Sequence, residues 1–312
     1  MRFTRILPAL LVLVLAITAV AAERPVAVRI AYLPITHAYP LYAAQELFGG
    51  QFADTRLELV RFGSWVELVE ALNAGKVDGA SVLFPLAVKA RENGIPIRVV
   101  ALGHRDGNVV VVDPAIKDVA ALKGKTVAIP SRISAHYILL DLALKKGGLG
   151  LSDVRIVELP PPEMPAALAE KRLSGYVVAE PFGAKAVALG KGRVLYQSEE
   201  IWEDSFCCAF TLRAAFIEQQ PAQARELTAA YLKAAHALEH EDTAAREAGR
   251  KYLKVPEPVL DLSLTWISYA DLGVKRPEYE RLIGYMRDLT LTVNPPSYED
   301  LIDNRLLEPV PR

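Results

Sequence analysis

The sequence predicts an α/β protein made of two similar lobes joined by two crossing strands. Segments rich in β-branched residues alternate with amphipathic helical segments, the order of parallel βαβ units with right-handed crossovers. That order runs twice. ALNAGKVDGASVLFPLAVKA (71–90) aligns without a gap to ALAEKRLSGYVVAEPFGAKA (167–186), matching Leu72 with Leu168, Gly79 with Gly175, Val82 with Val178 and Pro85 with Pro181. Length agrees with two cores, since a single core stops growing near ~250–300 residues and this chain has 312.

The elements follow in order. MRFTRILPALLVLVLAITAVAAERP sets Arg2 and Arg5 before an apolar run, with Ala19, Ala21 and Ala22 at its end. This is the pattern of a cleavable export signal, so residues 1–22 are expected to be a leader. VRIAYLPITHAYPLYAAQELFGG then reads as a strand, a Pro-Thr loop and an amphipathic helix, and KTVAIPSRISAHYILLDLALKKGG repeats it. Each is followed by a second strand, RLELVRF or VRIVELP, before the matched helix-turn-strand. The run Asn108 to Val112, ending at Asp113-Pro114, suits the first passage between lobes, and SEEIWEDSFCCAFTL suits the return. From about Glu218 the chain is helical and should pack back on the first lobe. The expected division is residues 23–111 and 206–312 for lobe one and 112–205 for lobe two.

A formal charge of −1 gives no footprint for nucleic acid. Cys207 and Cys208 are the chain's two cysteines, and a bridge between neighbours is strained. Alternation along a strand should turn their thiols to opposite faces, poorly placed to share one metal. Neither a metal nor a cofactor is expected. No G-x-S-x-G elbow or phosphate-cradling glycine loop occurs, which favours a binder over an enzyme. H-A-L-E-H, from His236 to His240, matches a zinc-peptidase signature. On that helix, however, Leu227, Tyr231, Ala234 and Leu238 form the buried stripe, leaving both histidines on the solvated side.

In open α/β sheets ligands bind beyond the carboxyl ends of the strands. LPITHAY and IPSRISAHY both lead into helix N-termini, whose free N–H groups favour negative ligand atoms. His37 and His136 hold equivalent positions there and are expected to face one another across the cleft. Tyr39, Ser131, Arg132 and Ser134 are neighbouring candidates, with helix capping the plain alternative for the serines. Ser64 and Trp65 sit where the second strand meets its helix, Glu180 ends a strand in VAEPF, and Phe206 and Cys207 lie on the return passage.

With GSWVELVEALNAGKVDGA, LKGKTVAIP, ALAEKRLSGYVVAEPF and a helical final third, the chain resembles the solute-binding proteins of bacterial ABC importers for nitrate, bicarbonate, taurine and other sulfonates, and thiamine-pyrimidine precursors. The resemblance implies a type II periplasmic-binding fold and a monomer in the periplasm. Its expected partners are a small-molecule ligand and an ABC permease with its cytoplasmic ATPase. A small anion such as a sulfonate or nitrate is the expected solute, a pyrimidine or other heterocycle the alternative. The same superfamily holds a pyrimidine-making enzyme with a C-C-C-F-C signature. Here only Cys207, Cys208 and Phe210 match it, with Ala209 and Thr211 at the other positions.

Overall fold

The computed structural model describes residues 25–53 and 55–307; the expected leader, 1–22, lies outside them. The first half runs β1 (Val26–Tyr32), α1 (Tyr39–Phe48), β2 (Thr55–Arg61), α2 (Trp65–Asn73), β3 (Gly79–Leu83), α3 (Phe84–Glu92) and β4 (Ile97–Leu102). A short β5 (Arg105–Asp106) leads into β6 (Asn108–Val112). The second half runs β7 (Thr126–Ile129), α4 (Ala135–Lys146), β8 (Arg155–Glu158), α5 (Met164–Ala169), β9 (Gly175–Ala179), α6 (Phe182–Ala188) and β10 (Arg193–Gln197). The chain returns through β11 (Cys208–Arg213). It ends in α7 (Ala214–Gln219), α8 (Pro221–Glu239), α9 (Thr243–Leu253), α10 (Glu257–Leu264), β12 (Ile267–Ser268), α11 (Arg276–Asp288) and α12 (Tyr298–Leu301).

Two five-stranded sheets result, ordered β2-β1-β3-β11-β4 and β8-β7-β9-β6-β10. Each places three parallel strands beside one antiparallel strand that belongs, in sequence, next to the other half. Those inserted strands set Cys208 opposite Leu83 and Asn108 opposite Ala179. The continuous apolar runs of β3, β6 and β9 are buried throughout, as strands covered on both faces must be. β6 joins the second sheet from Asn108 onward, so its pairing starts ahead of the 111/112 division expected from sequence.

The internal repeat has a mechanical reason. Gly79 and Gly175 open β3 and β9, and each faces the backbone of the inserted strand. A Cβ on Gly79 would lie 2.4 Å from the Thr211 carbonyl oxygen, and one on Gly175 would lie 2.9 Å from that of Val111. Any side chain there pushes the crossing strand out of its sheet.

The C-terminal helices pack back on the first lobe, α1 lying against α8 and α9. Leu227, Tyr231, Ala234 and Leu238 are all buried along α8, which is the expected stripe. β12 pairs with β5. Beside it the buried Arg105 bonds Glu278 of α11 at 3.1 Å and the Asp271 carbonyl at 2.9 Å, tying the first crossover to the C-terminal third. Among the described residues no helix is long and apolar enough to cross a membrane.

Gly79→Ala should therefore destabilise the protein by at least ~2 kcal/mol in urea unfolding, at the upper range of overpacking costs. Gly284→Ala, on α11 with no atom within 4 Å of the added methyl, should instead stabilise it by up to ~1 kcal/mol. Equal effects at both sites would refute the close-approach account.

Candidate functional site

The two crossovers bond to each other where they pass. Gly103 N–H donates to the Cys208 carbonyl and Asp106 N–H to that of Ser205, both at 2.8 Å. Gly103 permits this, since a Cβ there would lie 2.7 Å from the His37 carbonyl oxygen and 3.3 Å from Cys208 Cβ. The next residue, His104, accepts the Cys208 N–H at Nε2, 3.2 Å away, while its Nδ1 is buried without a partner.

His37 lies in the single turn Thr36–Ala38 before α1. Its Nε2 donates to the Gly107 carbonyl at 2.9 Å, which orients the ring and turns Nδ1 into the cluster. That Nδ1 is 3.5 Å from Cys208 Sγ, and the ring stacks on His104 with centroids 3.5 Å apart. Cys207 Sγ is 3.9 Å from Cys208 Sγ and 3.8 Å from both ring nitrogens of His136. His136, on the first turn of α4, comes from the opposite lobe. All five residues are fully buried.

The expectation that the two thiols point apart is corrected. β11 begins at Cys208, so Cys207 precedes the strand and the alternation rule does not reach it.

Burial sets the charge state. Desolvation, helped by neighbouring His37, brings His104 down to about 4 and His136 down to about 3, so both rings are neutral at pH 7. Burial pushes the Cys207 thiol up. Burial opposes ionisation of Cys208 too, but hydrogen bonds with Cys207, His104 and His37 hold it well below the ordinary thiol range. The cluster is thus a closely packed set of imidazole nitrogens and sulfurs shut off from water.

Glu180, at the end of β9, is also fully buried. Its carbonyl accepts from Thr36 N–H at 2.9 Å and from the Thr36 hydroxyl at 3.0 Å. Its carboxyl Oε2 accepts from Ala184 N–H at 3.0 Å. The other carboxyl oxygen and both side-chain polar atoms of Asn108 have no partner.

A separate cavity of about 450 Å³ opens in the seam between lobes. Ser64, Trp65 and Glu70 line it from the first lobe, and Pro130, Ser131 and Glu158 from the second. Both serines cap their own turns, Ser64 accepting from Glu67 N–H at 3.3 Å and Ser131 from Ile133 N–H at 3.1 Å. Those bonds use the oxygen lone pairs and leave the hydroxyl protons available. The Trp65 indole N–H is unpartnered.

Other expected ligand contacts fall elsewhere. Tyr39 starts α1, so its side chain drops into the first lobe, where its hydroxyl donates to the Arg246 carbonyl beneath α9. Arg132 turns outward, donating to the Ile156 carbonyl at 3.3 Å and lying over the Tyr137 ring. Ser134 caps α4 through Tyr137 N–H at 3.2 Å. Phe206 is packed against Phe84 and Trp202. His236 and His240 touch each other on an exposed face at 3.1 Å, and the Glu239 carboxylate accepts from Tyr269 N–H at 2.6 Å.

His104 and the Asn108 side chain were not singled out from sequence, and Cys208 was named only with Cys207 as a pair expected to point apart. His104 follows β4 as His37 follows β1, so the strand-end rule that selected His37 also points to it.

A family model described as NMT1-like matches residues 21–251. The nitrate/nitrite binding protein NrtA of Nostoc sp. PCC 7120 is 26% identical over 289 residues, 83% of this chain and 66% of its own length. The chain spans about two thirds or less of the curated relatives it matches first. The ligand binding component of an ABC-type import system from Staphylococcus aureus, solved with zinc bound, superposes with a TM-score of 0.85 at 34% identity. That match covers 90% of this chain and 97% of the other. The periplasmic nitrate-binding protein NrtA of Synechocystis PCC 6803 has a TM-score of 0.81 at 20% identity, covering 91% and 87%, and so shows a shared fold.

Glu180 yields a signed pH prediction. Burial lifts its carboxyl from 4.5 to about 8. Between those values the fold holds a proton that the unfolded chain has lost, and stability falls as pH rises through the window. Glu180→Gln, neutral throughout, should remove that slope and exceed wild-type stability at pH 9 by a few kcal/mol in urea melts. An unchanged slope would mean that the carboxyl is ionised in the fold.

Proposed function

The chain belongs to the NMT1-like family, and on that footing we propose that it is the solute-binding component of an ABC import system. In this reading it works in the periplasm, closes its two lobes on a small solute, and hands that solute to a membrane permease driven by a cytoplasmic ATPase. It is a binder and makes or breaks no bond in the solute. The observation that carries this reading is the seam cavity, walled by both lobes beyond the carboxyl ends of β2 and β8. Only the two crossovers join the sheets, so rotation about them opens and closes that seam. The Staphylococcus aureus relative, itself a ligand-binding component, supports the same role.

The lining also bears on solute class. The nitrate names of two relatives point to an anion, yet the cavity is lined by two carboxylates and no basic side chain. Like charges at close range repel. The Trp65 face, the prolines, the free hydroxyl protons and the carboxylate acceptors better suit a flat, largely apolar solute bearing N–H groups. We therefore favour a heterocycle over a free inorganic anion.

A thermal-shift screen of ligand-free protein should find a compound that raises the melting point by several degrees. At a hundred times Kd such a ligand adds about 2.7 kcal/mol. Trp65→Phe, which keeps a ring and removes the N–H, should weaken that compound about 2–10-fold in calorimetry, the worth of one neutral hydrogen bond. No shift across heterocycles, sulfonates and nitrate would overturn the reading.

A further inference from the structure

None of the five buried His and Cys residues lines the seam cavity, so the solute reading leaves them without a task. We propose that His37, His104, Cys207 and Cys208 form a binding site for a borderline-soft transition-metal ion of the zinc class, which His136 supports from the other lobe through the Cys207 sulfur.

Geometry carries the proposal. One ligand atom from each of the first four residues falls within a set whose members all lie within 4.8 Å of one another. Two thiols and two imidazoles are the donor set of tetrahedral zinc, and thiolate donors select against magnesium or calcium. The outer support is also present. His37 holds its Nε2–H on the Gly107 carbonyl, the bond that fixes tautomer and ring direction in metal-ligating histidines, and turns Nδ1 toward Cys208 Sγ. His104 turns its Nε2 lone pair toward the cysteines, where it accepts the Cys208 N–H at 3.2 Å and would exchange that bond for the ion. His136 has only the Cys207 sulfur within bonding range, and approaches it with both nitrogens at the same distance. Buried polar groups left without protein partners in one small volume are what a missing ion would satisfy.

The placement gives the ion a mechanical role. His104 lies on the outgoing crossover, Cys207 and Cys208 on the returning one, and His37 on the first lobe beside both. His136 alone belongs to the second lobe. A metal held by the first four residues, with His136 bonded to its Cys207 sulfur, pins the hinge in its closed arrangement. On binding, sulfur–metal and nitrogen–metal bonds form, any proton still on a ligating sulfur or nitrogen passes to solvent, and no oxidation state changes.

The site rests on these residues alone; its effect on closure rests on the import reading as well. The test uses the full chain, stripped with a chelator and kept reduced with a phosphine. Zinc should rebind at one ion per chain. Cobalt(II) in its place should show tetrahedral visible bands and a thiolate-to-metal charge-transfer band, which needs no variant to interpret. The Cys207→Ser/Cys208→Ser double variant should bind at least 100-fold more weakly. The His236→Ala/His240→Ala variant, which removes the exposed histidine pair, should bind as wild type. His136→Ala should keep the ion about tenfold more weakly and lose the compaction that zinc produces in small-angle scattering. Absence of stoichiometric uptake, a cobalt spectrum without thiolate character, or binding that follows His236 and His240 would overturn the proposal. A failed solute screen leaves the metal result standing, and metal uptake without compaction refutes the hinge role alone.

Discussion

Everything in this fold depends on two chain passages running antiparallel against each other within hydrogen-bond distance. Each sheet is completed by a strand inserted from the opposite half, so neither lobe has a finished core without the other's chain. The insertion requires backbone contact at the strand starts, which is why glycine opens both β3 and β9. It also requires that the passages themselves touch, which Gly103 allows against His37 and Cys208. Arg105 then anchors the outgoing passage to α11 through a buried ion pair. Such a pair adds little net stability but is costly to break, so it fixes position more than it strengthens the fold.

Burial at this crossing creates an electrostatic tension. Three imidazoles, two cysteine sulfurs, the Glu180 carboxyl and the Asn108 amide lie out of reach of water, and several of their polar atoms lack partners. Each such atom costs about 1–3 kcal/mol against a hydrated state. Opening the seam returns some of these atoms to water. The closed arrangement is thus held back by desolvation until something other than protein meets them. In the proposed import role, closure is then conditional on a ligand.

Much of this architecture was legible in sequence, for identifiable reasons. The repeat survived because glycine at two strand starts and apolar runs through two buried strands leave few substitutes. The α8 stripe was legible because Leu227, Tyr231, Ala234 and Leu238 follow the helical period. The site was legible only in part. His37 and His136 showed themselves by symmetry, since each leads into the first helix of its half, and the structure brings both to the cysteines. His104 has no counterpart in the second half, so symmetry could not reveal it. The thiols were misread because alternation needs a known strand start, and the residue where β11 begins depends on tertiary pairing with Leu83. Tyr39 and Arg132 illustrate the converse failure: placement in a promising loop does not determine which way a side chain leaves the backbone.

The separation between cavity and cluster constrains how binding and closure are coupled. The seam cavity is open and lined by side chains from α2 and the loops before α4 and after β8, where a solute adds contacts to both lobes at once. The His–Cys cluster lies at the crossing itself, where only one residue, His136, comes from the second lobe. A solute in the cavity therefore acts at a distance from the hinge and can favour closure through many weak contacts. A group bound at the crossing acts on the hinge through one strong contact. Both bias the same rotation, so whichever binds first leaves less ordering for the second. In the two proposed roles, positive coupling between these places follows, with no direct contact between them needed.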